Sequence, residues 1–170
     1  MEEVELSKSR MMLFNGPVET GIRSLVILNA AYPRLYDINE LVWLDHLIVH
    51  SEDIGGPPSM HPKLPQRTGE VLVRRSLVQE GLSLMHRLGL ISIEPSDTGV
   101  CYQATDDAHP LVNLLNTEYS QNLKSRAQWL ADFMAPMSGA EIKKLVLTKI
   151  GNWEIEFQGD LAPEVTNYGL

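Results

Sequence analysis

Histidine and aspartate side chains cluster where a predicted helix meets a proline-rich loop. His46 and His50 stand four residues apart, which places both on one face of a helix. Further candidate ligands follow or adjoin them in the sequence: Asp45, Asp53 and His61. Imidazole and carboxylate groups of this kind bind Zn²⁺, but the chain has no HExxH motif and no cysteine near the cluster. We therefore predict no metal site, and we expect the helix-end histidines to hydrogen-bond to loop backbone groups.

Nucleophilic and nucleotide-dependent chemistry find little support in the sequence. The single cysteine, Cys101, falls within a predicted hairpin strand, and no serine lies in a GxSxG setting. Neither a Walker A sequence nor GxGxxG is present to hold phosphates. We therefore expect a protein that is not an enzyme, with no catalytic residue and no cofactor.

Two oppositely charged residues fall on apolar helix faces and are predicted to pair. At 100° per residue, Arg74 lies within the apolar arc of the third predicted helix, and Asp45 lies within that of the second. An unpaired charge would lose much of its solvation energy there. We therefore predict a buried or half-buried ion pair between Asp45 and Arg74 that joins the two helices. The alternative is that Arg74 faces a partner.

The second predicted helix is apolar on its other side as well, through Trp43 and Leu47, so it lacks a wide solvated face. A second surface must therefore cover it. The fourth predicted helix and another protein chain are both candidates for that surface.

Positive charge is concentrated in one segment of an otherwise acidic chain. Residues 63–87 include five Lys or Arg and two Glu residues, which gives a local charge of +3. The polar side of the third predicted helix lies opposite its apolar arc, as in a helix that reads a DNA groove. The candidate residues for binding DNA or an acidic partner are Lys63, Arg67, Arg75, Gln79, His86 and Arg87. A solvated polar face is the alternative, because almost every amphipathic helix has one.

The stretch 50–67 holds four prolines and the pair Gly55–Gly56, which predicts a long, stiff loop. Loops of this length are uncommon within a compact domain unless they serve a function. A partner-binding loop would use its glycines for close backbone approach and its prolines to reduce the entropy lost on binding. The candidate residues of such a loop are Asp53, Gly55, Gly56 and His61. A loop that packs over the core is the alternative.

The elements that carry these residues follow a helix–helix–helix–hairpin order. Proline, capping-box and glycine signals bound the predicted helices, at 17–33, 37–49, 68–88, from 106 for more than twenty residues, and 138–150. Alternating residues predict a hairpin of strands 90–94 and 100–104 and a C-terminal strand at 153–157. Val18 and Leu88 are expected to extend the apolar faces of the first and third helices.

This order is that of a winged-helix module, in which the third helix is the recognition element and the hairpin is the wing. We therefore predict an α+β, mostly helical chain with a winged-helix core and C-terminal helices. Its parts are an N-terminal arm (1–16), a winged-helix-like core (17–105) with the long loop 50–67, and C-terminal helices and a tail packed on the core (106–170).

With 170 residues, 44% hydrophobic and 21% charged, the chain has the composition of one ordinary globular domain. This composition excludes a fibrous or mostly disordered protein. The net charge of −8 opposes tight binding of a polyanion by the protein as a whole. The start of the chain lacks the apolar run of a signal peptide, one cysteine forms no internal disulfide, and no apolar stretch is long enough to span a membrane. A cytoplasmic protein is therefore expected.

Residues 13–158 contain a series of short motifs in a specific order. They are Phe14-Asn15-Gly16-Pro17, Tyr32-Pro33, Leu44-Asp45-His46-Leu47, Val49-His50-Ser51, Asp53-Ile54-Gly55-Gly56-Pro57, His61-Pro62, Gly69-Glu70, Val73-Arg74-Arg75, Gly81-Leu82, Ile150-Gly151-Asn152-Trp153 and Glu156-Phe157-Gln158. In their order and spacing they resemble the middle component 2 family of prokaryotic ABC-three-component conflict systems, the Lamassu-like class.

The resemblance implies a small non-catalytic accessory subunit that bridges an SMC/Rad50-like ABC ATPase and an effector such as a nuclease, in defence against phage or plasmids. It also implies that the ATPase senses DNA, so that this chain would meet double-stranded DNA through the complex. Two hypotheses follow. The chain is either an adaptor whose loop and apolar surfaces contact the ATPase, or a stand-alone winged-helix DNA-binding transcriptional regulator that uses Arg75, Gln79 and His86.

Overall fold

The computed structural model describes residues 16–62 and 70–150. Within them lie six α-helices, one 3₁₀ turn and one antiparallel hairpin: α1 (Pro17–Ala31), α2 (Ile38–Val49), the 3₁₀ turn (Ser51–Ile54), α3 (Glu70–Arg87), β1 (Ile91–Ser96), β2 (Gly99–Ala104), α4 (Ala108–Leu114), α5 (Glu118–Met134) and α6 (Gly139–Ile150). The described chain is therefore mostly helical with a small sheet, as the α+β prediction requires. None of the helices in these two ranges combines the length and apolarity that crossing a membrane requires.

Several predictions lie outside the described residues. They concern the N-terminal arm except Gly16, the start of the third helix at residue 68 or 69, the end of the loop 50–67, Lys63, Arg67, the strand at 153–157 and the rest of the C-terminal tail.

Local capping signals mark the start of α2, the end of α3 and the start of α6, as the sequence predicts. Asp37 accepts a hydrogen bond from the backbone N–H of Glu40 (2.8 Å), and the Glu40 carboxylate accepts one from the N–H of Asp37 (2.9 Å). Ser138 and Glu141 exchange the same pair of bonds at the start of α6. Gly89, at a φ of 75°, adopts the left-handed conformation that turns the chain after α3. These capping predictions are confirmed because each depends on residues within one helical turn.

The predicted long fourth helix is wrong, because it is two helices. α4 ends at Leu114, and α5 begins after Thr117, whose side chain accepts a hydrogen bond from the N–H of Ser120 (3.1 Å). The capping hydroxyl satisfies a donor that a continuous helix would bond to its own backbone. The core assignments of Val18 and Leu88 are also wrong: they are 54% and 61% exposed, on the first turn of α1 and beyond the end of α3.

α2 occupies the centre of the described fold. Every residue from Leu41 to Val49 is buried, and the helix packs against α1, α3, α5 and α6. The apolar second side that the sequence analysis identified is therefore covered by helices of this same chain. No other chain is needed to bury it.

A glycine pair brings α1 and α3 close enough for their backbones to touch. A Cβ atom placed on Gly81 would lie 2.5 Å from the backbone nitrogen of Gly21 and 2.9 Å from the carbonyl oxygen of Pro17. Because backbone atoms cannot move aside as a flexible side chain can, only glycine fits at this crossing. The close approach brings the two helices that carry Arg23 and Arg74 together over α2.

The hairpin pairs Ile91 with Ala104 at its base and Ser96 with Gly99 at its turn. At its base it is tied to the connection between α1 and α2, because Tyr36 and Tyr102 exchange two backbone hydrogen bonds (3.2 and 2.8 Å). The base is buried and the distal half is exposed. The hairpin is therefore anchored at one end only.

Candidate functional site

One buried carboxylate joins the first three helices. Asp45 of α2 is fully buried and binds two guanidinium groups. Arg23 of α1 donates from Nε to Oδ1 (2.8 Å) and from Nη2 to Oδ2 (3.2 Å), and Arg74 of α3 donates from Nη1 to Oδ2 (2.5 Å). We call these three residues the ion-pair cluster. It carries a net charge of +1 inside the protein.

The structure brings Asp45 and Arg74 together, as the helical-wheel positions predict, and adds Arg23. Arg23 is 4% exposed and also donates to the Thr20 hydroxyl (3.3 Å). Sequence reasoning missed Arg23, although a signal was present. Its neighbours three and four residues later, Val26 and Ile27, are apolar, so the argument that singled out Arg74 applies equally to it.

The charges of this cluster hold Asp45 ionised. Burial alone would raise the pKa of the Asp45 carboxyl, but the nearby charges of Arg23 and Arg74 and their hydrogen bonds outweigh burial, so its pKa lies below the usual value. The carboxylate thus stays charged at neutral pH and compensates both guanidinium groups in part. A permanently ionised, enclosed carboxylate of this kind holds helices together and is poorly placed to accept a proton from a substrate.

His46 binds the carboxylate of Asp53, which stands in the 3₁₀ turn. Its Nε2 lies 2.7 Å from Asp53 Oδ2. Burial lowers the pKa of His46 to about 3, although the hydrogen bond to Asp53 raises it; the charges of Arg74 and His50 lower it further. The ring is therefore neutral at pH 7, and its Nε2–H donates to the carboxylate. The predicted bond to loop backbone is replaced by a side-chain bond, because the 3₁₀ turn points Asp53 back at α2.

Three imidazole rings, beginning with that of His46, and one phenol ring form a row from α2 towards α5. His46 stacks on His50 (ring centroids 4.5 Å apart), His50 meets His61 edge to face (6.1 Å), and His61 stacks on Tyr119 (6.1 Å). The Tyr119 hydroxyl and His61 Nε2 share a 3.0 Å hydrogen bond. We call these four residues the histidine column. It connects α2, the loop and α5.

The histidine column does not have the arrangement of a metal site. In the part of the chain that the structure describes, His, Cys, Asp and Glu residues form no group of three or more that could hold a metal ion. Burial lowers the pKa of His61 to about 4, and the charges of Arg23, His50 and Arg74 lower it further. His61 is therefore neutral at pH 7. The stacked and edge-to-face rings act here as packing groups with polar edges.

The described part of the loop packs on α5 and on the end of α2. Met60 and His61 both donate backbone hydrogen bonds to the carbonyl oxygen of Val49 (2.9 and 3.1 Å), and Arg126 of α5 donates to the Pro58 carbonyl (2.9 Å). A Cβ on Gly56 would lie 2.4 Å from the Trp129 ring. These contacts correspond to the packed-loop alternative over residues 50–62.

The four candidate partner residues of this loop are not equally accessible. Gly55 is exposed and, at a φ of 76°, ends the 3₁₀ turn. Asp53, Gly56 and His61 are half-buried, and their contacts lie within the chain: with His46, Trp129 and Tyr119 respectively. A partner that approached this loop would first contact its exposed residues, which are Glu52, Gly55, Pro58 and Pro62.

The polar face of α3 carries the other candidates. Gln79, His86 and Arg87 are exposed, whereas Arg75 is half-buried and donates to the Asn39 side chain (2.5 Å). His86 Nδ1 lies 3.0 Å from the Ile91 carbonyl, to which it donates because a carbonyl oxygen only accepts. Two of the four described candidates, Arg75 and His86, therefore have partners within the chain.

Comparison with known proteins identifies the family. The family model of the ABC-three component (ABC-3C) system Middle Component 2 matches residues 13–156, which includes every described helix and the hairpin. No curated protein and no solved structure matches the chain significantly. Because the match extends over most of the chain, it assigns the family of the whole fold rather than of one motif. The chain belongs to the Middle Component 2 family of ABC-three component systems.

Proposed function

We propose that this protein is a non-catalytic adaptor subunit of an anti-phage or anti-plasmid defence complex. In this proposal it bridges an SMC/Rad50-like ABC ATPase and an effector nuclease of a Lamassu-like system, in the cytoplasm, and meets double-stranded DNA as part of the complex. The observation that carries the proposal is the family match over residues 13–156. The family name makes the chain one component of a multi-component system.

The interior of the fold supports a non-catalytic role. Two residues of types used in acid–base chemistry, Asp45 and His46, are buried: Asp45 is bound to Arg23 and Arg74, and His46 is bound to Asp53. General acid–base catalysis needs a group within hydrogen-bond reach of a substrate. Groups that are committed to contacts between helices stabilise the fold instead.

Reconstitution of the complex tests the adaptor proposal. The three components are purified separately, and mixtures of two and of three are analysed by size-exclusion chromatography with light scattering. We expect the ATPase and the effector to co-elute only when this chain is present. Co-elution of ATPase and effector without it, or failure of this chain to bind either one, would contradict the proposal.

A second candidate function, a stand-alone winged-helix transcriptional regulator, has support in the order of the elements. Helices α1–α3 precede a hairpin, and the Tyr36–Tyr102 bridge ties that hairpin to the connection between α1 and α2. In this alternative Arg75, Gln79 and His86 would contact DNA, although Arg75 and His86 already have partners within the chain. The charge of the hairpin argues against it, because residues 91–104 contain Glu94 and Asp97 but no Lys or Arg.

Binding of the isolated chain to a duplex of about 20 base pairs separates the two functions. An adaptor that lacks a basic wing is expected to bind such DNA only weakly at physiological salt. Tight binding whose affinity falls steeply between about 50 and 200 mM salt would favour the regulator, because each phosphate contact releases counterions.

A further inference from the structure

The distal half of the hairpin presents an apolar face to solvent. Every residue from 93 to 100 is exposed, and Ile93 and Val100 are 40% and 46% exposed. The register pairs Ile93 with Tyr102 and Pro95 with Val100. Because paired residues and alternate residues of a strand share a face, these four side chains lie on one side, with Ile93, Pro95 and Val100 exposed and Tyr102 half-buried against the core at its inner edge. We call them the hairpin face.

Negative charge predominates in the hairpin and in the sequence that follows it. No Lys or Arg occurs among the 36 residues from 88 to 123. The same stretch contains five carboxylates: Glu94, Asp97, Asp106, Asp107 and Glu118. Asp97 is exposed in the turn, next to the hairpin face, and Glu94 is exposed on the opposite side of the hairpin, where it pairs with Cys101. The hairpin therefore combines apolar contact area with a negative potential.

We propose that the hairpin face binds a segment of another component of the ABC-three component system, one whose apolar residues are flanked by Lys or Arg. Such a segment would bury Ile93 and Val100 and place its cations near Asp97, within the negative potential to which Glu94 contributes from the other side of the hairpin. The same carboxylates repel DNA phosphates and the equally acidic hairpin of a second copy. This inference rests on the proposed adaptor function, because it names the surface through which the adaptor meets a partner.

Side-chain contact, rather than addition of a strand to the sheet, is the expected mode of binding. Pro95 lies within β1 and has no backbone N–H to offer to a neighbouring strand. The face is also small, because four side chains supply only part of the roughly 800 Å² that each partner buries in an interface of ordinary size. The hairpin face is therefore one anchor of a larger contact.

One double variant, one single variant and one control test the assignment. Ile93→Thr and Val100→Thr remove apolar area but keep β-branched side chains that suit a strand. Glu94→Lys reverses one charge. Leu114→Ser, at an exposed leucine (74%) on α4, is the control, because it removes an even more accessible apolar side chain outside the hairpin. All four positions are exposed, and circular dichroism and thermal melting verify that each variant is folded.

A pull-down first identifies which purified components of the system bind the wild-type chain. The affinity of each of those components for the full-length wild type and variants is then measured. We expect the double variant Ile93→Thr/Val100→Thr and the single variant Glu94→Lys each to weaken binding of one component at least tenfold. We expect Leu114→Ser to change it less than twofold. Binding of the wild type should also weaken as salt is raised, and Glu94→Lys should reduce that salt dependence.

The outcomes separate this inference from the adaptor proposal. If the wild type binds a component and the hairpin variants bind equally well, the hairpin face is not the contact, although the adaptor function stands. If the wild type binds no component, the adaptor proposal fails and this inference fails with it. Tighter binding of duplex DNA by Glu94→Lys together with loss of DNA binding by the double variant would overturn the assignment in favour of a DNA-contacting hairpin. A wild-type dimer that the double variant dissociates would overturn it in favour of self-association.

Discussion

The ion-pair cluster makes an asymmetric prediction about stability. Asp45→Asn would leave the guanidinium groups of Arg23 and Arg74 buried without their shared counter-charge, whereas Arg74→Met would leave Asp45 still bound by Arg23. Removal of one partner from a buried ion pair costs about 3 to 5 kcal/mol, and the aspartate serves two pairs. We therefore expect Asp45→Asn to lower the free energy of unfolding by about 5 kcal/mol. Arg74→Met should lower it by only about 1 to 2 kcal/mol, because one hydrogen bond to a charged group is lost.

The double variant provides the sharpest test. In the Asp45→Asn background Arg74 is an uncompensated buried cation, so Arg74→Met should no longer destabilise and should restore part of the lost stability. We expect a coupling energy of about 2 kcal/mol or more between the two substitutions. Urea unfolding at pH 7, followed by tryptophan fluorescence and circular dichroism, measures all four proteins. Asp107→Asn is the control, because Asp107 is exposed and makes no side-chain capping bond.

Two results would refute this reasoning. If Arg74→Met is as destabilising as Asp45→Asn, the aspartate does not serve two guanidinium groups at once. If the effects of the two substitutions add within about 0.5 kcal/mol, the side chains do not interact in solution.

Three further predictions concern other parts of the fold. Between pH 7 and pH 5, His46 should lower the free energy of unfolding by about 2 kcal/mol. Its pKa is about 3 in the folded chain against an ordinary 6.5, so the unfolded chain takes up the proton first as the pH falls. Urea unfolding of wild type and His46→Gln at both pH values measures the contribution of His46 to this loss. Gly81→Ala should cost about 2 to 3 kcal/mol and lower the melting temperature, because its Cβ would overlap the Gly21 backbone, while the exposed Ser83→Ala should change little. Asp37→Ala should cost about 1 kcal/mol in the same melting assay, through loss of the cap of α2.

Features that depend on a few neighbouring residues could be predicted from the sequence. The capping boxes at Asp37 and Ser138 and the left-handed Gly89 are examples, because one helical turn contains both the donor and the acceptor. The helix–helix–helix–hairpin order followed from the same local signals. The boundary between α4 and α5 could not be predicted from these local signals. The apolar periodicity of the sequence continues past Thr117, the residue that caps α5.

The candidate site was predictable in part. The position of Asp45 and Arg74 on apolar arcs indicated that they needed partners, because a helical wheel shows which side of a helix is buried. The wheel does not show which helices cross, so the place of Arg23 in the same cluster depended on the close approach of α1 and α3 at Gly21 and Gly81.

The sequence by itself therefore determined the class of the fold, the limits of most helices, the acidic charge of the chain and the polar residues that needed buried partners. The tertiary structure alone decided that α2 is covered by helices of its own chain, that the loop at 50–62 packs against Trp129 and Arg126, and that the histidines stack as a column. The physical reason is the separation along the sequence of the residues that interact. Caps, turns and amphipathic faces arise from interactions within a few residues, whereas burial and ion pairing depend on which distant segments meet, and only the packed chain settles that.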